Sequence, residues 1–238
     1  MPSSKMALID FKHPQKFSDL VVVSVSGEKL YFSKMALYNT SDYFKSMFDG
    51  NFKEANQSKI TLTYSPDCLN AIFNLISGRY PFFDLVVLRE ILSAMREYLM
   101  DNLQYMLELY ICDKDQSHLR YDTMLLLCTE FVLPIVHREL ASGLNGDSIK
   151  YTPFDKLDGS ILKLNFSNFI KTQLLVRLCE AHKTNQEKME QIMECIPGSF
   201  ITSTNYKTIY PLMAHFKHSP KSSELYSQIL SYVQHYLK

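Results

Sequence analysis

The 238-residue sequence predicts an α+β chain, with a small sheet ending near Thr63 and helices filling the remainder. Two observations carry this expectation. Before Thr63, apolar residues alternate with polar ones or run together as β-branched stretches, the pattern of strands. After Ser65 they recur at spacings of three and four, the pattern of helices with one buried face. The composition, 46% hydrophobic and 13% aromatic, supports a packed core. A chain of this size buries about 70% of the surface that its unfolded form exposes.

The elements follow in order. LVVVSV (residues 20–25), the turn Ser26-Gly27-Glu28 and KLYF (29–32) read as a β-hairpin. The segment SKMALYNTSDYFKSMF places Met35, Leu37, Tyr43, Phe44, Met47 and Phe48 at helical apolar positions, with Thr40 or Ser41 as the N-cap of a second helix within it. KITLT (59–63) reads as a third, half-buried strand. Ser65-Pro66-Asp67 opens a helix in which Leu69, Ile72, Phe73 and Ile76 form one stripe. Residues 78–83 read as a turn with a short strand. Helices are expected over 84–99 and 102–112, then 119–131 and 134–144, and after an irregular stretch over 168–182, 186–195, 207–215 and 223–237. The polar stretch Asp113 to His118 is the expected domain boundary. No repeat of 20 to 50 residues is present.

Composition and motifs exclude several function classes. The 25 basic residues balance 25 acidic ones, so no basic excess draws nucleic acid. Five Cys at irregular intervals, without a CxxC pair, suggest neither a disulfide framework nor a zinc site, and point to a reducing compartment. No apolar stretch reaches the roughly 20 residues of a membrane span, and residues 1–15 do not read as a secretory signal. The expectation is a soluble intracellular protein, cytoplasmic or nuclear. GxGxxG, GxxxxGK[ST], HExxH and GxSxG are all missing, so no enzyme, cofactor or metal is expected. The Cys179/His182 pair, the His215/His218 pair and His137-Arg138-Glu139 read as ordinary helix residues.

The most specific stretch is FSDLVVVSVSGEKLYFSKMALYNTSDYFKSMFDGNFKEANQSKI (17–60), which resembles the BTB/POZ domain in order and spacing. Phe17-Ser18-Asp19-Leu20 is similar to that family's opening element and Lys34 to Leu37 to the start of its first core helix. Ser41-Asp42-Tyr43-Phe44 resembles its Ser-x-x-Phe, and Phe52-Lys53-Glu54 its Phe-x-Glu. Ala94 to Leu99 stands where the family has Ala-x-x-Tyr-Leu. The resemblance covers residues 17–112. Two departures stand out: Ser33 where the family usually has His, and Ile76-Ser77-Gly78 where it has Tyr-Thr-Gly. Residues 119–238 resemble a BACK region, most clearly over 125–144. The whole is similar to stand-alone BTB/BACK proteins of large DNA viruses. No kelch, zinc-finger or MATH-like pattern is present.

The resemblance implies a BTB/POZ fold, a small sheet flanked by helices, followed by an all-α BACK-like region. It further implies a homodimeric substrate adaptor for a cullin-three ubiquitin ligase, with an unidentified protein target. The alternative is a non-ligase oligomerisation or decoy protein that binds cellular BTB partners. By position, Phe52 and Glu54 match the cullin contact, extended by Tyr98 and Met100; the competing reading has Phe52 tucked under its own loop and Glu54 solvated. Phe17, Asp19, Lys34 and Leu37 match the dimer interface, with a local Asp19–Lys34 ion pair as the competing reading.

Overall fold

The computed structural model describes residues 7–50, 52–81, 83–113, 121–144, 149, 152–196 and 206–209. The chain divides into two compact units, Met1–Asp113 and Lys114–Lys238.

In the first unit β1 (Leu20–Val23) and β2 (Lys29–Phe32) pair antiparallel, with Leu20 opposite Phe32 and Val22 opposite Leu30. Gly27 closes the hairpin at φ 84°, a conformation that side chains rarely adopt. β3 (Lys59–Thr61) pairs parallel to β1, with Val22 opposite Ile60, and the sheet order is β2-β1-β3. Period-two alternation sends Leu20, Val22, Leu30, Phe32 and Ile60 to one buried face.

Between β2 and β3 run α1 (Lys34–Thr40), α2 (Asp42–Asp49) and a 3₁₀ turn (Lys53–Asn56). Helices this short are unstable alone and depend on tertiary packing. Ser41 supplies much of it. Its Oγ accepts the Phe44 N–H at 3.0 Å as the N-cap of α2 and donates to the Tyr98 carbonyl, while the Asp42 N–H reaches the Leu99 carbonyl at 3.4 Å.

Next come α3 (Pro66–Ile76), α4 (Leu85–Glu97) and α5 (Asp101–Ile111). Residues 78–81 and 83 form no strand, contrary to the sequence expectation; Pro81 carries no N–H to offer a ladder. Ser65 caps α3, and the Glu90 carboxylate on α4 holds that cap by accepting from Ser65 N at 2.7 Å and Ser65 Oγ at 2.6 Å. α4 ends in a Schellman-type motif: Leu99 N–H reaches the Arg96 carbonyl at 3.4 Å and Met100 N–H the Met95 carbonyl at 2.8 Å. Leu99 takes the left-handed position at φ 51°, where glycine is the usual occupant.

A strap at residues 7–11 lies against the sheet and α3. Phe11 is buried edge-on against Phe32 and Phe73, which stack on each other 4.1 Å apart. The sequence leaves residues 5–11 open between an extra helix and an exchanged strand of the kind that longer family members carry; residues 7–11 form no helix.

The second unit holds α6 (Tyr121–Glu130), α7 (Pro134–Gly143), a 3₁₀ turn (Gly159–Lys163), α8 (Asn168–His182), α9 (Gln186–Glu194) and α10 (Tyr206–Ile209). His215, His218 and the helix expected over 223–237 lie outside the described residues. His137 is no solvated face residue: its ring stacks on Phe166, centroids 4.9 Å apart. His182 is buried with Nε2 2.8 Å from the Leu157 carbonyl, and burial pushes the Cys179 thiol up to about 12, so this pair is structural.

Ser41→Ala is expected to lower stability by about 2 kcal/mol, combining a lost cap with a stranded buried carbonyl. Ser41→Thr, which keeps both bonds, is expected to stay close to wild type. Urea unfolding followed by far-UV circular dichroism checks both.

Candidate protein-interaction site

Phe52 follows the end of α2 and leads into the 3₁₀ turn that carries Glu54. Its ring is 60% exposed and rests on Gly50, where a Cβ would come within 2.6 Å of a ring carbon and 2.9 Å of the Ser46 carbonyl oxygen. Glycine is therefore needed for close approach, and any larger residue would tip the ring. Glu54 is half-buried, and its carboxylate makes no hydrogen bond or ion pair among the described residues. An exposed aromatic ring beside an uncommitted carboxylate can fill an apolar pocket and accept charge-assisted hydrogen bonds.

Lys34 braces this turn from below. Its ammonium donates to the Ala55 carbonyl and lies 4.7 Å from the centre of the Phe48 ring. Asp19 engages a different part of the same residue: Oδ1 accepts the Lys34 backbone N–H at 2.6 Å. The two charged groups thus serve separate purposes, a helix-start bond and a turn brace, rather than the local side-chain ion pair that was the competing reading.

Three of the residues singled out in the sequence are core. Tyr98 is 3% exposed, at the centre of a cluster in which the rings of Tyr43, Phe44 and Tyr64 lie 5.1–5.5 Å away. Burial pushes its phenol well above the ordinary range, although Thr63 hydrogen-bonds it. Met100 is 1% exposed. The left-handed turn at Leu99 is the physical reason: it swings Met100 inward and leaves Leu99, at 53% exposure, as the outward residue. Its carbonyl bonds the start of α2, so Leu99 stands at the opposite end of that helix from Phe52. No sequence pattern announced this, because a leucine one residue beyond a helix reads as one more apolar position.

Leu37 is the third. It is the fully buried residue of α1, and the outward apolar position on that helix is Met35. Phe17, 78% exposed, lies two residues before Asp19, and the Asp19–Lys34 bond brings Phe17 and Met35 to one end of the sheet. Of the four proposed interface residues, Phe17 and Asp19 are exposed, Lys34 is half-buried and Leu37 is inaccessible. On α5, Tyr105, Met106 and Leu109 form a further exposed apolar stripe.

No group of three or more His, Cys, Asp or Glu side chains converges as a metal site among the described residues, and no helix there is long and apolar enough to cross a membrane. A small mixed sheet whose crossover helices and turn carry exposed apolar anchors defines a protein-interaction module. Residues 8–115 match the model of the BTB/POZ domain family, and this part of the chain is a BTB/POZ domain. BTB domains typically self-associate and bind partner proteins. The chain is 47% identical over 77 residues to "BTB and MATH domain-containing protein 15" of Caenorhabditis elegans, covering 32% of this chain and 28% of that protein. It is 38% identical over 68 residues to "Trishanku" of Dictyostelium discoideum, covering 28% of this chain and 10% of that protein. The match thus spans well under a third of either relative.

Lys34→Met keeps the aliphatic stem and removes the ammonium. It is expected to speed hydrogen exchange at the Ala55 and Gln57 amides, which close the 3₁₀ turn on Phe52 and Glu54, by several-fold, while the β1–β2 amides stay protected. Amide-resolved exchange provides the check.

Proposed function

We propose that the protein is a homodimeric adaptor in which the BTB/POZ domain presents Phe52 and Glu54 to a cullin-three scaffold, while the second unit holds a protein target for ubiquitination. The observation that supports this reading best is the pose of Phe52: exposed, rested on Gly50 and at the start of a turn, braced by Lys34, whose Glu54 carboxylate has no partner among the described residues. The contact is smaller than the sequence suggested, since Tyr98 and Met100 are packed inside, and Leu99 takes the outward place between them. Self-association is assigned to Phe17 and Met35, with Asp19 and Lys34 fixing the element that carries them. The α6–α7 pair contains the stretch 125–144 that resembles a BACK region, and the target-binding role is assigned to that unit. The five cysteines form no disulfide, in keeping with a cytoplasmic or nuclear location.

A second reading, oligomerisation without ligase recruitment, draws support from the burial of two of the four expected cullin contacts. Light scattering of the chain with and without a cullin-three N-terminal segment separates the readings. The adaptor reading expects a complex of two chains and two cullin segments, reduced at least ten-fold in affinity by Phe52→Ala combined with Glu54→Lys. Undiminished binding by that variant sinks the proposed contact. A dimer that takes up no cullin supports the second reading. Phe17→Glu with Met35→Glu is expected to shift the chain toward monomer; an unchanged mass places self-association elsewhere.

A further inference from the structure

The sheet of the first unit buries one face and leaves the other open. The buried face packs on α3, as the stacked rings of Phe32 and Phe73 show. On an open face, strands ordinarily present polar side chains. β2 and β3 follow that rule for the most part, with Lys29 and Tyr31 outward on one and Lys59 and Thr61 outward on the other. β1, the central strand, departs from it: its outward positions are Val21 and Val23, both half-buried. Val25 continues the row two residues further on, 67% exposed, with its N–H still bonded to the Tyr64 carbonyl at 3.2 Å. A central strand that is apolar toward both faces has the composition of one covered on both sides. Here Val25, Lys29, Lys59 and Thr61 stand exposed instead.

The register fixes where the charges stand around these valines. Val21 lies between Tyr31 and Lys59, and Val23 between Lys29 and Thr61, so the two lysines occupy diagonal corners of the patch. Two strand spacings across and two residues along separate their backbones by about 12 Å. Neither ammonium has an ion-pair partner among the described residues. The acids of the hairpin are committed elsewhere, Glu28 to Lys12 at 2.7 Å and Asp19 to the Lys34 N–H at 2.6 Å. A valine row between two uncompensated cations is complementary to a partner that brings aliphatic side chains and carboxylates together. A second copy of the same face would set lysines against lysines, so the charges oppose self-pairing. Extended peptides add to sheet edges, whereas a sheet face is covered by a helix or a second sheet. We propose that this face docks an acidic amphipathic helix of another protein, with its aliphatic stripe on Val21, Val23 and Val25 and its carboxylates on Lys29 and Lys59. At 1.5 Å per residue the diagonal corresponds to acidic residues about eight apart, two turns along one helix face, with aliphatic residues between them.

The probes are two fluorescent amphipathic helical peptides with the same leucine stripe, carrying either glutamates or lysines at flanking positions eight residues apart. Each is titrated against the full chain by anisotropy at low salt. Wild type is expected to bind the glutamate peptide roughly ten-fold more tightly than the lysine peptide. Lys29→Glu with Lys59→Glu, both at exposed positions, is expected to invert that preference. Should the charge-reversed chain misfold, Lys29→Gln with Lys59→Gln reads the same comparison and is expected to bring the two peptides close to parity. Val25→Asn is expected to weaken the glutamate peptide several-fold by removing apolar contact. No preference in wild type, a preference that survives the lysine replacements, or binding that Val25→Asn leaves untouched overturns the proposal. Flotation with phosphatidylserine vesicles that charge reversal abolishes, without a peptide preference, assigns the face to a membrane and equally overturns it. A change of mass in light scattering on charge reversal, again without a peptide preference, assigns the face to contacts between copies and does the same.

Discussion

Parallel pairing of β3 with β1 is the constraint on which the rest of the BTB/POZ domain depends. Antiparallel neighbours can be joined by a tight turn, as β1 and β2 are through Gly27, but a strand that returns parallel needs an excursion long enough to carry the chain back across the sheet. Residues 33–58 make that excursion. They fold as α1, α2 and the 3₁₀ turn, and these are the elements that bear Met35, Lys34, Phe52 and Glu54. The proposed interaction surface is therefore the connection that the sheet topology requires, with Met35 and Phe52 at its outward positions.

Short elements of this kind hold their places through buried or half-buried polar groups that bond across the fold. Ser41 ties the start of α2 to the end of α4, Glu90 ties α4 to the cap of α3, and Asn74 ties α3 to the strap. Each such group satisfies its own hydrogen-bonding needs with a partner distant in sequence, so that leaving any one partner out would strand a polar atom in the interior. Apolar packing, mostly aliphatic with a minority of rings, supplies the bulk of the adhesion, and these bonds help to fix which arrangement of it is the stable one.

Much of this was legible in the sequence. The hairpin, the third strand, the Ser41 and Ser65 caps and the starts of α3, α6 and α7 rest on local patterns, namely β-branched runs, capping residues and proline in a first turn, and the structure places them within a few residues of expectation. The surface was legible only in part. Phe52 and Phe17 are exposed, as a contact residue must be, but Leu37, Tyr98 and Met100 turned inward. An apolar residue in a helix or just beyond it looks the same in sequence whether it faces core or solvent. For Met100 the decision was made by one left-handed residue, Leu99, whose type gives no sign of that conformation, and for Tyr98 by the rings of Tyr43, Phe44 and Tyr64, which come from distant parts of the sequence. The N-terminal segment stayed open between an extra helix and an exchanged strand, because the partners of residues 9 and 11, Asn74 and Asn70, stand far away in the sequence.

The separation of 65 residues between Ile9 and Asn74 bears on the order in which the domain assembles. During synthesis the strap leaves the ribosome well before α3 and has nothing to lie on, since its aromatic slot needs Phe73 and its clamp needs Asn74. Closing so long a loop for three backbone bonds and one ring becomes favourable only after the sheet and α3 have come together. Strap docking is thus a late event of folding, and the newly made domain passes through an interval with its sheet edge bare.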